Sequence, residues 1–194
     1  MIKKNKILIA TGGTGGHVFP AYSLANYFMK NNYNVKLTTD NRGFNYLKDY
    51  KKLDVVKISS SPLIKKNFLK FIFSIIMIIF SVFKSIIFLL FNRPSIVFGM
   101  GGYSSFPVCI AATILRIKFV IYENNLIIGR ANKFLLPFAK KIFVSYKSLE
   151  GISANYKNKI LEVGNIIREE IINLQIENNE NNLFDEIKIL VLGG

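Results

Sequence analysis

The sequence predicts an α/β fold, a mostly parallel sheet with helices on both faces, and three observations carry that prediction. Short β-rich apolar runs alternate with longer helical stretches, which is the rhythm of repeated βαβ units. Two of the runs empty into glycine-rich turns that open helices. The 194 residues are 51% hydrophobic and 20% charged, enough for one well-cored domain and too few for two full nucleotide-fold domains.

The expected strands cover 6–10, 34–39, 55–58, 95–98, 119–122, 141–145 and 159–163, each a short β-branched or aromatic run. Helices are expected at about 21–31, 43–50, 68–91, 106–115 and 129–139, with Pro107 near a helix start, where its missing N–H does no harm. From 173 to 186 the pattern dissolves into Asn, Glu and Gln, a linker composition. A fresh strand at 187–192 then runs into Gly193-Gly194, echoing the first strand and its Gly-Gly. The expected organisation is therefore a domain over 1–172, a linker over 173–186, and over 187–194 the first strand of a second domain.

The first turn reads Thr11-Gly12-Gly13-Thr14-Gly15-Gly16-His17. Four glycines bring backbone close to a ligand, and the helix that follows aims free N–H groups at the same spot, so a phosphate or diphosphate fits. The turn matches neither Gly-x-Gly-x-x-Gly nor a P-loop ending in Gly-Lys-Ser/Thr, which weakens the dinucleotide and NTPase readings. His17 is the only histidine and falls in the first turn of that helix. A helix N-terminus keeps an imidazole neutral and able to take a proton near pH 7, so it stands as a base or as a packed structural residue.

A second turn, Gly99-Met100-Gly101-Gly102-Tyr103-Ser104-Ser105, repeats this geometry after the strand at 95–98. In a parallel sheet both turns lie at the carboxyl ends of strands, where ligands of open α/β folds bind. The strand at 119–122 runs into Glu123-Asn124-Asn125 at the same edge, making Glu123 and Asn125 candidates for sugar hydroxyl or amide contacts. Arg168, after Val163-Gly164-Asn165, could meet a phosphate or carboxylate, or form an exposed salt bridge.

The stretch 68–91 is almost wholly Ile, Phe, Leu, Val and Met, long enough to raise the question of a membrane span. On a helical wheel Lys70, Ser74, Ser81, Lys84 and Ser85 all fall within about 100° of arc. A spanning helix has no need of such alignment, so a helix partly packed and partly offered to lipid is expected, ahead of an ordinary buried helix. Lys65, Lys66, Lys70 and Arg93 flank it and would meet anionic headgroups.

Lys and Arg outnumber Asp and Glu by 26 to 12, a net charge of +14 that asks for an anionic partner: nucleic acid, membrane or phosphorylated substrate. The basic residues are scattered without an aromatic platform or recognition-helix pattern, so no nucleic acid is expected. Cys109 is the only cysteine, which rules out an internal disulfide and a cysteine-built metal site and fits a reducing compartment. No apolar run of signal-peptide length precedes the first turn, so secretion is not expected.

Taken together, Gly12-Gly13-Thr14-Gly15-Gly16-His17-Val18-Phe19-Pro20, Gly99-Met100-Gly101-Gly102-Tyr103 and Gly164-Asn165-Ile166-Ile167-Arg168 resemble the motifs of the MurG family, glycosyltransferases of bacterial cell-wall synthesis. The resemblance implies the N-terminal, Rossmann-like domain of a GT-B glycosyltransferase. Such enzymes move N-acetylglucosamine from UDP-GlcNAc to undecaprenyl-diphosphate-linked N-acetylmuramyl-pentapeptide, peripherally, at the cytoplasmic face of the inner membrane. It further implies an inverting displacement that uses no metal and no cofactor. Thr14, Gly15, Gly16, Asn125 and Arg168 would contact the nucleotide sugar, and His17 would be the base. The loop of Gly101, Gly102 and Tyr103 would help hold the carrier diphosphate, with Glu123 a further contact.

Where the family usually has His-Glu-Gln-Asn this chain has Tyr122-Glu123-Asn124-Asn125, and Ile166 and Ile167 replace its Pro-Val. The chain stops at Gly194, where the family's third glycine loop begins, so the polypeptide alone is expected to be inactive. The alternative expectation is a non-catalytic membrane-anchoring subunit that recruits a separate donor-binding protein.

Overall fold

The computed structural model describes residues 5–50, 52–58, 60, 62 and 67–172. The expected linker at 173–186, the strand at 187–192 and the flanking Lys65 and Lys66 lie outside the described residues.

Among the described residues seven parallel strands form one sheet: β1 (Lys6–Ala10), β2 (Asn34–Thr39), β3 (Asp54–Lys57), β4 (Ile96–Gly99), β5 (Phe119–Glu123), β6 (Lys141–Val144) and β7 (Ile160–Glu162). Their order is β3-β2-β1-β4-β5-β6-β7, so the chain reverses direction across the sheet between β1 and β4. Alternate side chains enter opposite cores. Ile7, Ile9, Val35 and Leu37 pack under α1 (Gly15–Lys30) and α2 (Asn41–Leu47). Leu8, Ala10, Val97, Phe119 and Ile121 pack under α3 (Phe68–Asn92), α4 (Ser105–Ile114) and α5 (Arg130–Leu135). Burial on both faces is why the central strands read as continuous apolar runs rather than alternating ones.

The strands fall within a residue or two of expectation; the helix boundaries move more, each for a local reason. α1 begins at Gly15 rather than at 21, because Pro20 is carried inside it. Proline cannot bond the carbonyl four residues back; that carbonyl belongs to Gly16 and accepts instead from the Asn124 side-chain amide at 3.3 Å. α2 begins at Asn41 rather than 43 because the Asp40 carboxylate caps it, accepting from the Gly43 N–H at 2.8 Å. α5 is shorter than the expected 129–139: Leu136 keeps helical angles, but Pro137 has no N–H to continue the ladder. The Lys159 ammonium there donates to the carbonyls of Leu136, Pro137 and Ala139 at 3.0, 2.9 and 2.9 Å. A 3₁₀ turn at Ala154–Lys159 and a short α6 (Glu169–Ile172) were not expected.

The serine stripe of α3 faces inward. Ser74, Ser81, Ser85 and Leu89 are its buried residues, lying against α4. The serine hydroxyls donate to carbonyls one turn back, Ser74 to Lys70 and Ser81 to Met77 at 2.8 Å and Ser85 to Ser81 at 2.7 Å. Small side chains with internally satisfied hydroxyls let the two helices approach closely. The bulky residues point away: Phe73, Ile76, Ile79, Phe83 and Phe91 are all more than half exposed. By length and composition α3 could cross a membrane, with only 22% of its most apolar window buried in the protein.

Candidate functional site

The two glycine turns flank the point where the strand order reverses, the position at which open α/β sheets form a ligand crevice. They are tied to the sheet by backbone bonds, Thr11 N–H to the Thr38 carbonyl at 2.9 Å and Met100 N–H to the Ala10 carbonyl at 2.8 Å. They also touch each other, and only glycine permits it. Gly102 has φ +80°, and a Cβ there would stand 2.3 Å from the Gly12 carbonyl oxygen. Gly101 has φ +86°, and its Cβ would fall 2.9 Å from the His17 ring. The second turn is therefore a lid of bare backbone laid over the first turn and the imidazole.

His17 is the third residue of α1 and half-buried beneath the Gly101 backbone. Burial lowers its pKa below the ordinary 6.5, against opposing pulls from the Glu123 carboxylate and a hydrogen bond to the Met100 carbonyl. The helix N-terminus acts in the same direction as burial. A neutral imidazole that donates from one nitrogen keeps the other as a proton acceptor.

Glu123, read from sequence as a ligand contact, turns inward and is 2% exposed. One carboxylate oxygen accepts from the Asn125 backbone N–H and side-chain amide at 3.2 and 2.7 Å. The other accepts from the Gly129 N–H and the Asn132 amide at 2.8 and 3.0 Å. Four donors satisfy the buried charge and fix the 124–129 loop, which leaves Asn125 exposed at the crevice edge.

On the other side of the α1 N-terminus, Gly15, Gly16, Phe19, Ile166, Ile167 and Arg168 line an open groove of about 470 Å³. Arg168 lies over the Phe19 ring at 4.6 Å and forms no salt bridge with a described residue. Thr14 is exposed at the N-cap of α1, its hydroxyl does not cap the helix, and its Oγ1 would stand 3.8 Å from a Cβ built on Gly16, beside this groove. Thus Thr14, Gly15, Gly16 and Arg168 come together on one side, and His17, Gly101 and Gly102 on the other. Asn125 sits with the second set through Glu123, and Tyr103, 49% exposed, faces away across the second turn.

Three positioning residues escaped the sequence reading. Asp40 accepts from the Gly13 N–H at 3.3 Å as well as from Gly43, and Arg42 bonds its other oxygen at 3.2 Å. Burial pushes its carboxyl up, and these donors outweigh that and hold it below the ordinary 3.8. An Asp just before a helix is a cap signal that could have found it. The Tyr122 hydroxyl sits 2.8 Å from the Ser145 hydroxyl, donates to the Gly164 carbonyl and accepts from the Ile166 N–H, both at 3.2 Å. It thereby pins the segment that carries Arg168. Asn132, through Glu123, had no local signal.

Residues 7–144 match the family model described as the glycosyltransferase family 28 N-terminal domain. A Pelagibacter ubique protein named UDP-N-acetylglucosamine--N-acetylmuramyl-(pentapeptide) pyrophosphoryl-undecaprenol N-acetylglucosamine transferase is 37% identical over 97% of this chain and 51% of its own length. A Rickettsia canadensis protein of the same name is 37% identical over 87% of this chain and 46% of its own. The crystal structure of Acinetobacter baumannii MurG superposes with a TM-score of 0.68 at 23% identity, covering 81% of this chain and 45% of that one; this likeness speaks to the fold. The chain spans about half the length of the curated relatives it matches.

Proposed function

We propose a function for a chain that belongs to glycosyltransferase family 28 through its N-terminal domain: it forms the acceptor-binding half of an enzyme that moves N-acetylglucosamine from UDP-GlcNAc to an undecaprenyl-diphosphate-linked muramyl acceptor. The observation that carries this reading is the meeting of the two glycine turns at the ends of β1 and β4, where His17 lies beneath the Gly101-Gly102 backbone. The relatives named above bear this activity in their names.

His17 would take the proton of the acceptor hydroxyl as that oxygen attacks the sugar carbon bearing the UDP leaving group. The bond to UDP breaks as the new glycosidic bond forms, with inversion. The bare backbone of the two turns would hold the carrier diphosphate. Thr14, the open N–H groups of Gly15 and Gly16, and Arg168 would receive the nucleotide sugar from its own domain across the groove. Glu123 would act through Asn125, as a positioning residue.

The outward face of α3 would rest on an anionic membrane surface at its cytoplasmic side. The inward serine stripe supports a surface-lying helix, since a spanning pose would strip Ser74, Ser81 and Ser85 from α4. The test is a fusion of the whole chain to the C-terminal half of the Pelagibacter ubique relative, assayed with UDP-GlcNAc and the lipid-linked acceptor in anionic vesicles. Transfer of GlcNAc is expected. A folded fusion that binds vesicles but transfers nothing would favour the anchoring-subunit reading instead.

A further inference from the structure

On the far side of the second glycine turn from His17, α3, α4 and α5 enclose a cavity of about 220 Å³. Ile78, Phe106, Ala131 and Phe134 give it apolar walls, Ser60 adds one buried hydroxyl, Tyr103 forms the edge nearest the turn, and Arg130 stands at the rim. The Phe106 and Phe134 rings meet edge to face at 5.5 Å and fix one wall. Arg130 is exposed and forms no ion pair with any described residue, and none of the described residues lining the cavity is acidic. The volume is below the roughly 300–1,000 Å³ that encloses a whole drug-sized ligand, so it suits part of a chain.

A mainly apolar slot, with the Ser60 and Tyr103 hydroxyls and one guanidinium among its lining, matches an amphiphile whose oily chain begins next to an anionic head. Tyr103 joins the slot to the Gly101-Gly102 backbone, and Ile78 joins it to α3, whose neighbouring side chains face outward. We infer that this cavity is the seat of the first isoprene units of a polyprenyl diphosphate, with Arg130 at the diphosphate end and the rest of the chain leaving along α3. The inference rests on the proposed acceptor role of the crevice. It adds a distinct subsite, one that selects the carrier by its proximal hydrocarbon.

Isothermal titration of the full chain with farnesyl diphosphate, farnesol and inorganic pyrophosphate, and of three variants, tests it. Farnesyl diphosphate is expected to bind about tenfold or more tighter than pyrophosphate, because only it fills the slot. Ala131→Trp, which fills the cavity, and Phe134→Ser, at a 60% exposed position that folding tolerates, are each expected to weaken farnesyl diphosphate about tenfold and leave pyrophosphate unchanged. Arg130→Gln is expected to weaken the diphosphate and spare farnesol.

Equal affinity for pyrophosphate and farnesyl diphosphate, or wild-type affinity in both Ala131→Trp and Phe134→Ser, overturns the inference. Loss of binding to plain anionic vesicles in the same variants, with farnesyl diphosphate unaffected, also overturns it and assigns the slot to the bilayer. In the fusion enzyme an unchanged acceptor KM for Ala131→Trp would sink the subsite while the transferase reading stands. Variant-sensitive farnesyl diphosphate binding with no transfer would do the reverse.

Discussion

Asn124 donates its side-chain amide to the Gly16 carbonyl at 3.3 Å, the carbonyl that Pro20 leaves open by lacking an N–H. One bond thus ties the loop after β5 to the first turn of α1, directly beside His17. Replacing Asn124 by Ala is expected to lower stability by about 0.5–1 kcal/mol, the value of one partly exposed hydrogen bond. Urea unfolding measures it; an unchanged midpoint would show that water replaces the amide without loss.

Glu123→Gln swaps an acceptor that serves four donors for a group that must present an N–H to some of them. The buried mismatch is expected to cost about 2–3 kcal/mol in thermal or urea unfolding. It also removes the carboxylate that raises the His17 pKa, so NMR titration of His17 should show a further fall. A rise would mean that the carboxylate is not coupled to the ring.

Acid sensitivity follows from two shifted groups. Asp40 titrates below 3.8 in the folded chain, so its stabilisation is complete above the ordinary carboxylate range and is lost as pH falls through the depressed value. His17 titrates below 6.5, so the unfolded chain binds its proton first and stability declines as pH drops from about 6.5. Asp40→Asn should flatten the lower limb and His17→Ala the upper one. Stability curves against pH that keep both limbs in the double variant would contradict this assignment.

The two faces of α3 should respond oppositely. Ser85→Leu overpacks the contact with α4, where Ser85 is fully buried, and should cost about 1–3 kcal/mol. Phe83→Ser, at a 57% exposed position, should change stability by less than about 0.5 kcal/mol and weaken binding to anionic vesicles in a flotation assay. If Ser85→Leu is neutral and Phe83→Ser destabilises, the helix is rotated from the orientation described.

Complete burial pushes the Cys109 thiol up to about 12, so it is protonated at neutral pH and shielded. It should resist a thiol-specific reagent in the native protein and react fully in denaturant. Rapid native labelling would place it in an opening segment.

Much of this was legible in the sequence, because a buried parallel sheet writes itself as apolar runs and the glycine turns mark their ends. The direction of the α3 stripe was not. Periodicity placed Ser74, Ser81 and Ser85 on one face, but whether that face met water or protein depended on the close approach of α4. The reach of α1 back to Gly15 was equally hidden, since Pro20 reads as a boundary until Asn124, far along the chain, takes the freed carbonyl. Glu123 looked like a ligand group because its four donors, Asn132 among them, assemble only in the fold.

The most direct measurement is the turnover of the fusion enzyme with His17 and with His17→Ala. If His17 is the base of the crevice, kcat should fall about 100-fold or more at neutral pH, with the acceptor still bound. A fall of less than about tenfold would contradict general-base catalysis by this residue.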